Sequence, residues 1–166
     1  MKADSIDRVE FCAEVRENID FINEIFTDLG ALELFENPDV TFIEAWIFET
    51  LLAFTLFRAN NSVTLDFHLM PDGIRIDFEG YNEAYEVGNK DLRKDRDSVF
   101  RTIKTLLCEP IMVEYKGNAM FVNLFNSDGS RYAIWSLGSI FTLITGHYLK
   151  SQAIKQHLFS PIYPKN

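Results

Sequence analysis

The sequence predicts an α+β fold in which N-terminal helices and one further helix pack on an antiparallel β-sheet. Two stretches, 12–29 and 92–107, repeat apolar residues at helical spacing, whereas residues 63–78 alternate apolar and polar side chains. After residue 110 the chain consists of short apolar runs separated by glycine-containing turns. Such a grouping of helical and strand segments, with hairpin-length connections between the strands, is typical of helices packed on an antiparallel sheet.

Length and composition indicate a single domain that covers residues 1–166 and has a hydrophobic core. The chain has 166 residues, of which 47% are hydrophobic and 15 are phenylalanine. A chain of this size buries roughly 70% of its unfolded surface. This apolar content excludes a disordered protein.

The first predicted element is an amphipathic helix that starts near a cap at Asp4 and stops at Gly30. Its apolar stripe consists of Cys12, Val15, Ile19, Ile22, Phe26 and Leu29. Its opposite side carries acids at helical spacing, namely Glu10, Glu14, Glu17, Glu24 and Asp28. Acids that lie four residues apart on a helix are mildly destabilising.

A second helix is predicted over 40–58, which makes residues 1–60 a helical segment. The stretch is apolar nearly all round, as is typical of a helix that crosses a core. Thr41 and Glu44 have the spacing of a capping box at its start.

Residues 62–88 are predicted to form an acidic hairpin or meander. Two alternating runs flank Pro71, Asp72 and Gly73, which gives the hairpin one apolar face and one polar face. A third strand is expected over 84–88.

The register of this hairpin stays open at the level of the sequence. A four-residue loop places His68 opposite Arg75, and Asp66 opposite Asp77. A two-residue loop places His68 opposite Asp77, and Asp66 opposite Glu79. Both registers keep the apolar residues on one face, so the alternation does not choose between them.

The remaining chain is predicted as a helix over 90–108, antiparallel strands over 111–146 and a tail over 147–166. Leu92, Val99, Ile103 and Leu106 share a helical face, and Pro110 ends the segment. The strand runs are IMVEY, AMFVNLF, RYAIWSL and SIFTLIT, and a short helix is expected within 148–159.

The net charge of −9 is concentrated in the first part of the chain. Residues 1–60 carry 13 acids and 4 bases, whereas residues 111–166 carry 2 acids and 5 bases. This balance disfavours binding to nucleic acid or to an anionic membrane, and it favours a basic protein partner. The N-terminal residues lack the pattern of a signal peptide, and two cysteines do not make a disulfide framework, so a cytoplasmic location is expected.

No catalytic, metal or cofactor motif is found in the sequence. His68 paired with Asp77 would suit general-base catalysis, but no pattern links a nucleophile to it. Cys12 lies on an apolar helical stripe, which is typical of a structural thiol. The spacings of nucleotide-binding loops, of metal sites and of serine hydrolases are absent. We therefore expect no enzymatic activity, no catalytic residue, no metal and no cofactor.

The acidic hairpin is the predicted contact surface for a protein partner, because Asp66 lies opposite another acid in either register and such a pair weakens a hairpin. The acidic face of the first helix is the second choice. The predicted partner-binding residues are Asp66, His68, Asp72, Asp77, Glu79, Glu83 and Glu86 on the hairpin, and Glu10, Glu14 and Glu17 on the helix.

The small size, the acidic balance, the α+β layout and the lack of motifs resemble the small immunity proteins of bacterial contact-dependent and polymorphic toxin systems. This resemblance covers the whole chain at the level of class and matches no family residue. It implies a cytoplasmic monomer that forms a heterodimer with a cognate toxin domain, often a basic nuclease, and blocks or flanks its active site.

Two alternatives from other classes stay open. Secretion chaperones are also small, acidic and α+β, but they usually act as dimers that hold a client segment. A small enzyme or ligand-binding domain would use His68 and would place it in a deep pocket.

Overall fold

Two antiparallel sheets and three helices make up the described part of the chain. The computed structural model describes residues 11–30, 40–58, 64–78, 81–116, 119–126, 128–137 and 155–162. In these ranges the predicted α+β fold is confirmed, with a five-stranded sheet and a second, four-stranded one.

The larger sheet, sheet A, is a meander whose strands neighbour each other in chain order. It contains β1 (Val40–Phe48), β2 (Leu51–Arg58), β3 (Leu65–Met70), β4 (Gly73–Phe78) and β5 (Tyr81–Gly88). The smaller sheet, sheet B, has the spatial order β8, β7, β6, β9. Its strands are β6 (Ile111–Lys116), β7 (Ala119–Phe125), β8 (Arg131–Leu137) and β9 (Lys155–Phe159). The helices are α1 (Ala13–Asp28), α2 (Asn89–Lys94) and α3 (Arg96–Cys108).

Helix α1 buries the predicted stripe and ends where the sequence predicts. Gly30 has a φ of 70°, and its N–H donates to the carbonyl oxygen of Thr27 at 3.0 Å. Glycine adopts this left-handed conformation without the steric cost that a side chain brings. The helix begins at Ala13, and the predicted cap Asp4 lies outside the described residues.

The prediction of a helix over 40–58 is wrong, because these residues form the hairpin of β1 and β2. The stretch is rich in aromatic and β-branched residues, which fit a pleated surface better than a helix. Leu52, Phe54 and Leu56 alternate along β2 and are all buried. They lie opposite apolar residues of β3, with Leu52 facing Leu69. Pairing with β3 therefore decides the conformation of a run whose periodicity is ambiguous.

The β3–β4 hairpin adopts the register in which Asp66 faces Asp77 and His68 faces Arg75. Met70 pairs with Gly73, which leaves Pro71 and Asp72 at the turn. A Cβ atom at residue 73 would lie 2.1 Å from the carbonyl oxygen of Val87, so the close approach of β5 requires glycine there. The third strand predicted over 84–88 is confirmed and is longer than predicted.

The helix predicted over 90–108 is present but is divided in two at Asp95. This residue has φ −132° and ψ 47°, which are not helical values. Its N–H donates to the carbonyl of Asp91 and closes α2, while its own carbonyl accepts from Ser98 and Val99 and opens α3.

Sheet B confirms the first three strands predicted after residue 110. The short helix predicted in the tail is wrong where the structure describes it, because residues 155–159 form β9 and pair with β6. The partner strand supplies the backbone hydrogen bonds that a helix would otherwise make internally. The predicted strand SIFTLIT, at residues 139–145, lies outside the described residues.

The core extends from the space between α1 and one face of sheet A to α3 and sheet B, and three phenylalanine rings meet in its first part. The rings of Phe54 and Phe67 stack with centroids 4.9 Å apart. The ring of Phe26, on α1, packs edge-on against both, at 6.3 Å and 6.5 Å. Asn18 of α1 is buried and donates from Nδ2 to the carbonyl of Met70 at 2.8 Å, which fastens the helix to the β3–β4 turn.

Candidate functional site

The face of sheet A that points away from α1, here called the polar face, carries most of the predicted hairpin residues. Because successive side chains of a strand point to opposite faces, this face is the one opposite Phe54 and Phe67. The strand pairing arranges its side chains in two rows. One row is Thr55, Asp66 and Asp77, and the other is His68, Arg75 and Glu86.

Asp77 lies at the centre of a charge cluster on the polar face. Its side chain is only 6% exposed. Its Oδ2 lies 3.1 Å from Nε2 of His68, and its Oδ1 lies 3.3 Å from Nε of Arg75. A buried carboxylate is costly unless cations or hydrogen bonds compensate it, and here two basic side chains do so.

Asp66, the other opposed acid, is held by a different strand. It is half-buried, and its Oδ1 accepts a hydrogen bond of 2.5 Å from the hydroxyl of Thr55 on β2. Each of the two opposed acids therefore has a partner of its own within the chain. The register places Asp66 and Asp77 opposite each other, and each acid interacts with different neighbours, Asp66 with Thr55 and Asp77 with His68 and Arg75.

His68 lies diagonally across the hairpin from Asp77 rather than directly opposite it. The side chain of His68 is 22% exposed. The contact between His68 and Asp77, expected for the register in which the two residues face each other, is thus made in the other register across a diagonal, which is within reach of long side chains. A histidine held by a carboxylate can accept a proton in general-base catalysis. In the described ranges, the contact of His68 with Asp77 also stabilises a buried charge.

The acids predicted on the outer side of the first helix are exposed where the structure describes them, but they differ in their surroundings. Glu24 is paired with Arg96 of α3, and Asp28 with Lys104 of the same helix. Glu14 and Glu17 are exposed near the start of the helix, and no ion pair involves them in the part of the chain that the structure describes. The first half of α1 therefore carries uncompensated negative charge.

Two turns and the start of α1 meet at one end of sheet A. The N–H of Cys12, just before α1, donates to the carbonyl of Glu49 in the β1–β2 turn at 2.9 Å. Leu52 at the start of β2 pairs with Leu69 at the end of β3, which places the β1–β2 and β3–β4 turns side by side. The buried Asn18 then joins α1 to the second of these turns.

This end of the molecule, here called the tip surface, combines acids with two exposed apolar side chains. Glu49 and Asp72 are exposed in the two turns. The exposed fractions of Ile47 and Phe48 are 39% and 56%. The tip surface consists of Glu14, Glu17, Ile47, Phe48, Glu49 and Asp72.

The structure thus separates the predicted contact residues into different environments. Glu14, Glu17 and Asp72 belong to the tip surface, Glu86 is exposed on β5, Asp66 and His68 are half-buried, and Asp77 is buried. Glu10 and Glu79 lie outside the described residues, and of Glu83 the structure describes only the backbone in β5. Sequence reasoning missed Ile47, Phe48 and Glu49 because it placed them in a helix. The aromatic and β-branched content of 40–48 was the signal that favoured a strand.

A groove of about 480 Å³ runs beside α3 and is lined by Asp97, Phe100, Arg101, Lys104, Thr105, Glu109 and Asn126. Its charges are mixed, and Lys104 also lies 5.2 Å from the centre of the Phe100 ring. In the adjoining β7–β8 turn, the carboxylate of Asp128 accepts hydrogen bonds from Ser130. The bond from the hydroxyl has the larger effect and the bond from the N–H the smaller, and both hold the pKa of Asp128 below its ordinary value. These contacts order the turn.

In the described ranges, no group of three or more histidine, cysteine, aspartate or glutamate residues is placed to hold a metal ion. Among the described residues, the helices are too short or too polar to span a membrane.

Comparison with known proteins found no match among protein families, curated proteins or solved structures. The inference about function therefore rests on the surfaces of this chain.

Proposed function

We propose that the protein is an immunity protein, which binds a cognate toxin domain and neutralises it through an acidic surface. The partner is a basic domain such as a nuclease, and the protein acts by binding rather than by catalysis. The observation that carries this proposal is the acidic tip surface, where four carboxylates are exposed around one end of sheet A.

The contrast with the other acids supports the proposal. The acids in the second half of α1 are paired with bases of α3, and Asp77 is paired with two basic side chains. The acids of the tip surface have no ion pair within the described ranges, and Arg16 is the single base of α1. A surface of one sign accelerates encounter with a partner of the opposite sign and disfavours wrong partners.

The docking surface proposed here differs from the polar face favoured by the sequence. Asp77 is paired with His68 within the chain, and Asp66 accepts a hydrogen bond from Thr55. Separating these acids from their neighbours would cost energy before a partner could use them. The exposed residues Glu14, Glu17 and Asp72 carry no such cost.

The test expresses the C-terminal domain of the protein encoded by the reading frame next to the gene, which the proposal predicts to be toxic. Cells that express this domain alone are expected to stop growing, and cells that also express the protein are expected to grow. A toxic domain against which the protein gives no protection would contradict the proposal. Neighbouring frames without any toxic domain would contradict it as well.

Neutralising Glu14→Gln, Glu17→Gln and Asp72→Asn together is expected to slow association with that domain about tenfold at low salt and to flatten its salt dependence. The matched control removes three charges elsewhere, by Asp97→Asn, Glu109→Gln and Asp128→Asn. Stopped-flow association rates at several salt concentrations measure both variants. Equal slowing by the two triple variants would indicate net charge rather than the tip surface.

A further inference from the structure

An aromatic side chain, Phe48, is exposed beside the β1–β2 turn, next to the acids of the tip surface. In the described ranges three large apolar side chains are exposed, namely Ile47, Phe48 and Leu158. Two of them are the last two residues of β1, next to the β1–β2 turn, and the third lies on β9 in the other sheet. An exposed phenylalanine adds apolar surface that is unfavourable in water, and aromatic side chains that bury themselves in a partner's pocket are common binding hot spots.

The turn is held in place by the rest of the fold. Phe48 pairs with Leu51 and Ile47 pairs with Leu52, so both belong to the last rungs of a strand pair. The bond from Cys12 to the carbonyl of Glu49 fixes the turn to α1. A side chain on a preformed element loses less freedom on binding than one on a free loop, and this favours its use as an anchor.

The two apolar side chains lie on opposite faces of this strand pair. Ile47 shares the face of the buried Leu52, towards α1, and Phe48 lies on the other face. The turn is therefore a wedge with apolar sides, and Glu49 lies at its tip. Buried aromatic anchors that fill a pocket, surrounded by a polar rim, are typical of binding hot spots.

The charges around the wedge determine the partner it fits. Glu49 follows Phe48 directly. Glu14 lies near the N-terminal end of α1, which is hydrogen-bonded to the β1–β2 turn, and Asp72 lies in the neighbouring β3–β4 turn. A second copy of this chain would bring the same acids against themselves in a symmetric dimer. A basic rim around an apolar pocket complements the wedge.

We infer that Phe48, supported by Ile47, is the apolar anchor of the interface and enters an apolar pocket with a basic rim on the partner. This inference rests on the proposed function and specifies how the tip surface binds. Charge brings the partner to the surface, and the wedge supplies the contact that slows dissociation.

The test measures binding of the toxin domain from the neighbouring frame by titration calorimetry. Phe48→Ala is expected to weaken binding about 30-fold, which is the size of a hot-spot residue, and Phe48→Tyr is expected to restore most of the affinity. Leu158→Ala is the matched control, because Leu158 is 60% exposed and lies in the other sheet, and it is expected to leave binding unchanged. Melting curves confirm that each variant is folded.

The possible failures are distinguishable. If the wild-type protein binds the domain and Phe48→Ala binds equally well, the anchor is overturned while the proposed function stands. If the wild-type protein does not bind the domain, both are overturned. A third outcome is that the wild-type protein is a dimer in solution and Phe48→Ala is a monomer. Phe48 would then bind a second copy of this chain, which would contradict the inference of a basic partner.

Discussion

Phe67→Ala is expected to reduce the free energy of unfolding by about 3–5 kcal/mol. The side chain of Phe67 is fully buried, stacks on Phe54 and meets the ring of Phe26 from α1. Its removal leaves a cavity between the helix and sheet A, and neighbouring strands cannot move to fill it. Urea denaturation followed by circular dichroism measures the change.

Phe48→Ala is the matched control for this substitution, because it removes the same atoms from an exposed position. Its effect on the free energy of unfolding is expected to stay within about 0.5 kcal/mol. Similar losses for the two variants would show that the β1–β2 turn is buried in solution, which would contradict both the described packing and the availability of Phe48 to a partner.

Arg75→Met is expected to destabilise the protein by about 2–4 kcal/mol at neutral pH. Asp77 would remain buried after the loss of one of its two basic neighbours, and removing one partner of a buried ion pair is destabilising. Asp77→Asn is expected to cost less, because the Arg75 side chain that remains is 28% exposed. The two substitutions are expected to differ in their effect on stability because the side chain of the acid is more deeply buried than that of the base.

The double variant Asp77→Asn/Arg75→Met separates this explanation from a simple loss of packing. It is expected to be more stable than Arg75→Met alone, since no charge is then left buried. Glu86→Gln, in the same row but exposed, serves as the control and is expected to change stability little. Additive losses in the double variant would refute the role assigned to the ion pairs.

The β3–β4 hairpin shows how far the sequence predicts this fold. Where the structure describes the hairpin, its alternation placed the apolar residues from Leu65 to Leu69 and from Ile74 to Phe78 on the buried face, because a strand repeats every two residues. The register was not predictable, since both candidates preserve that alternation. Contacts from distant residues distinguish them in the structure, namely the bond from Asn18 to the turn and the approach of Val87 to Gly73.

The β1–β2 hairpin could not be predicted in the same way. Residues 40–58 are apolar on both sides, so neither a period of two nor a helical period stands out. Their conformation depends on pairing with β3, which is a tertiary contact. The error also hid the apolar part of the candidate site, because a helix through the core would have buried Phe48.

The acids of the candidate site were predictable in position but not in exposure. Alternation correctly placed Asp77 on the polar face. Its burial, with side chains of His68 and Arg75 within 3.3 Å of its carboxylate, is a tertiary feature that a pattern of apolar and polar residues does not contain. Glu14 and Glu17 were predicted on the exposed side of α1 and lie there.

The central claim is that this protein binds a toxin domain through the tip surface. Amide hydrogen exchange of the protein, with and without the toxin domain from the neighbouring frame, tests it most directly. The account predicts slower exchange on binding at residues 47–50, at Asp72 and Gly73 and at the start of α1, with little change in sheet B. Protection confined to sheet B, or no protection anywhere, would contradict it.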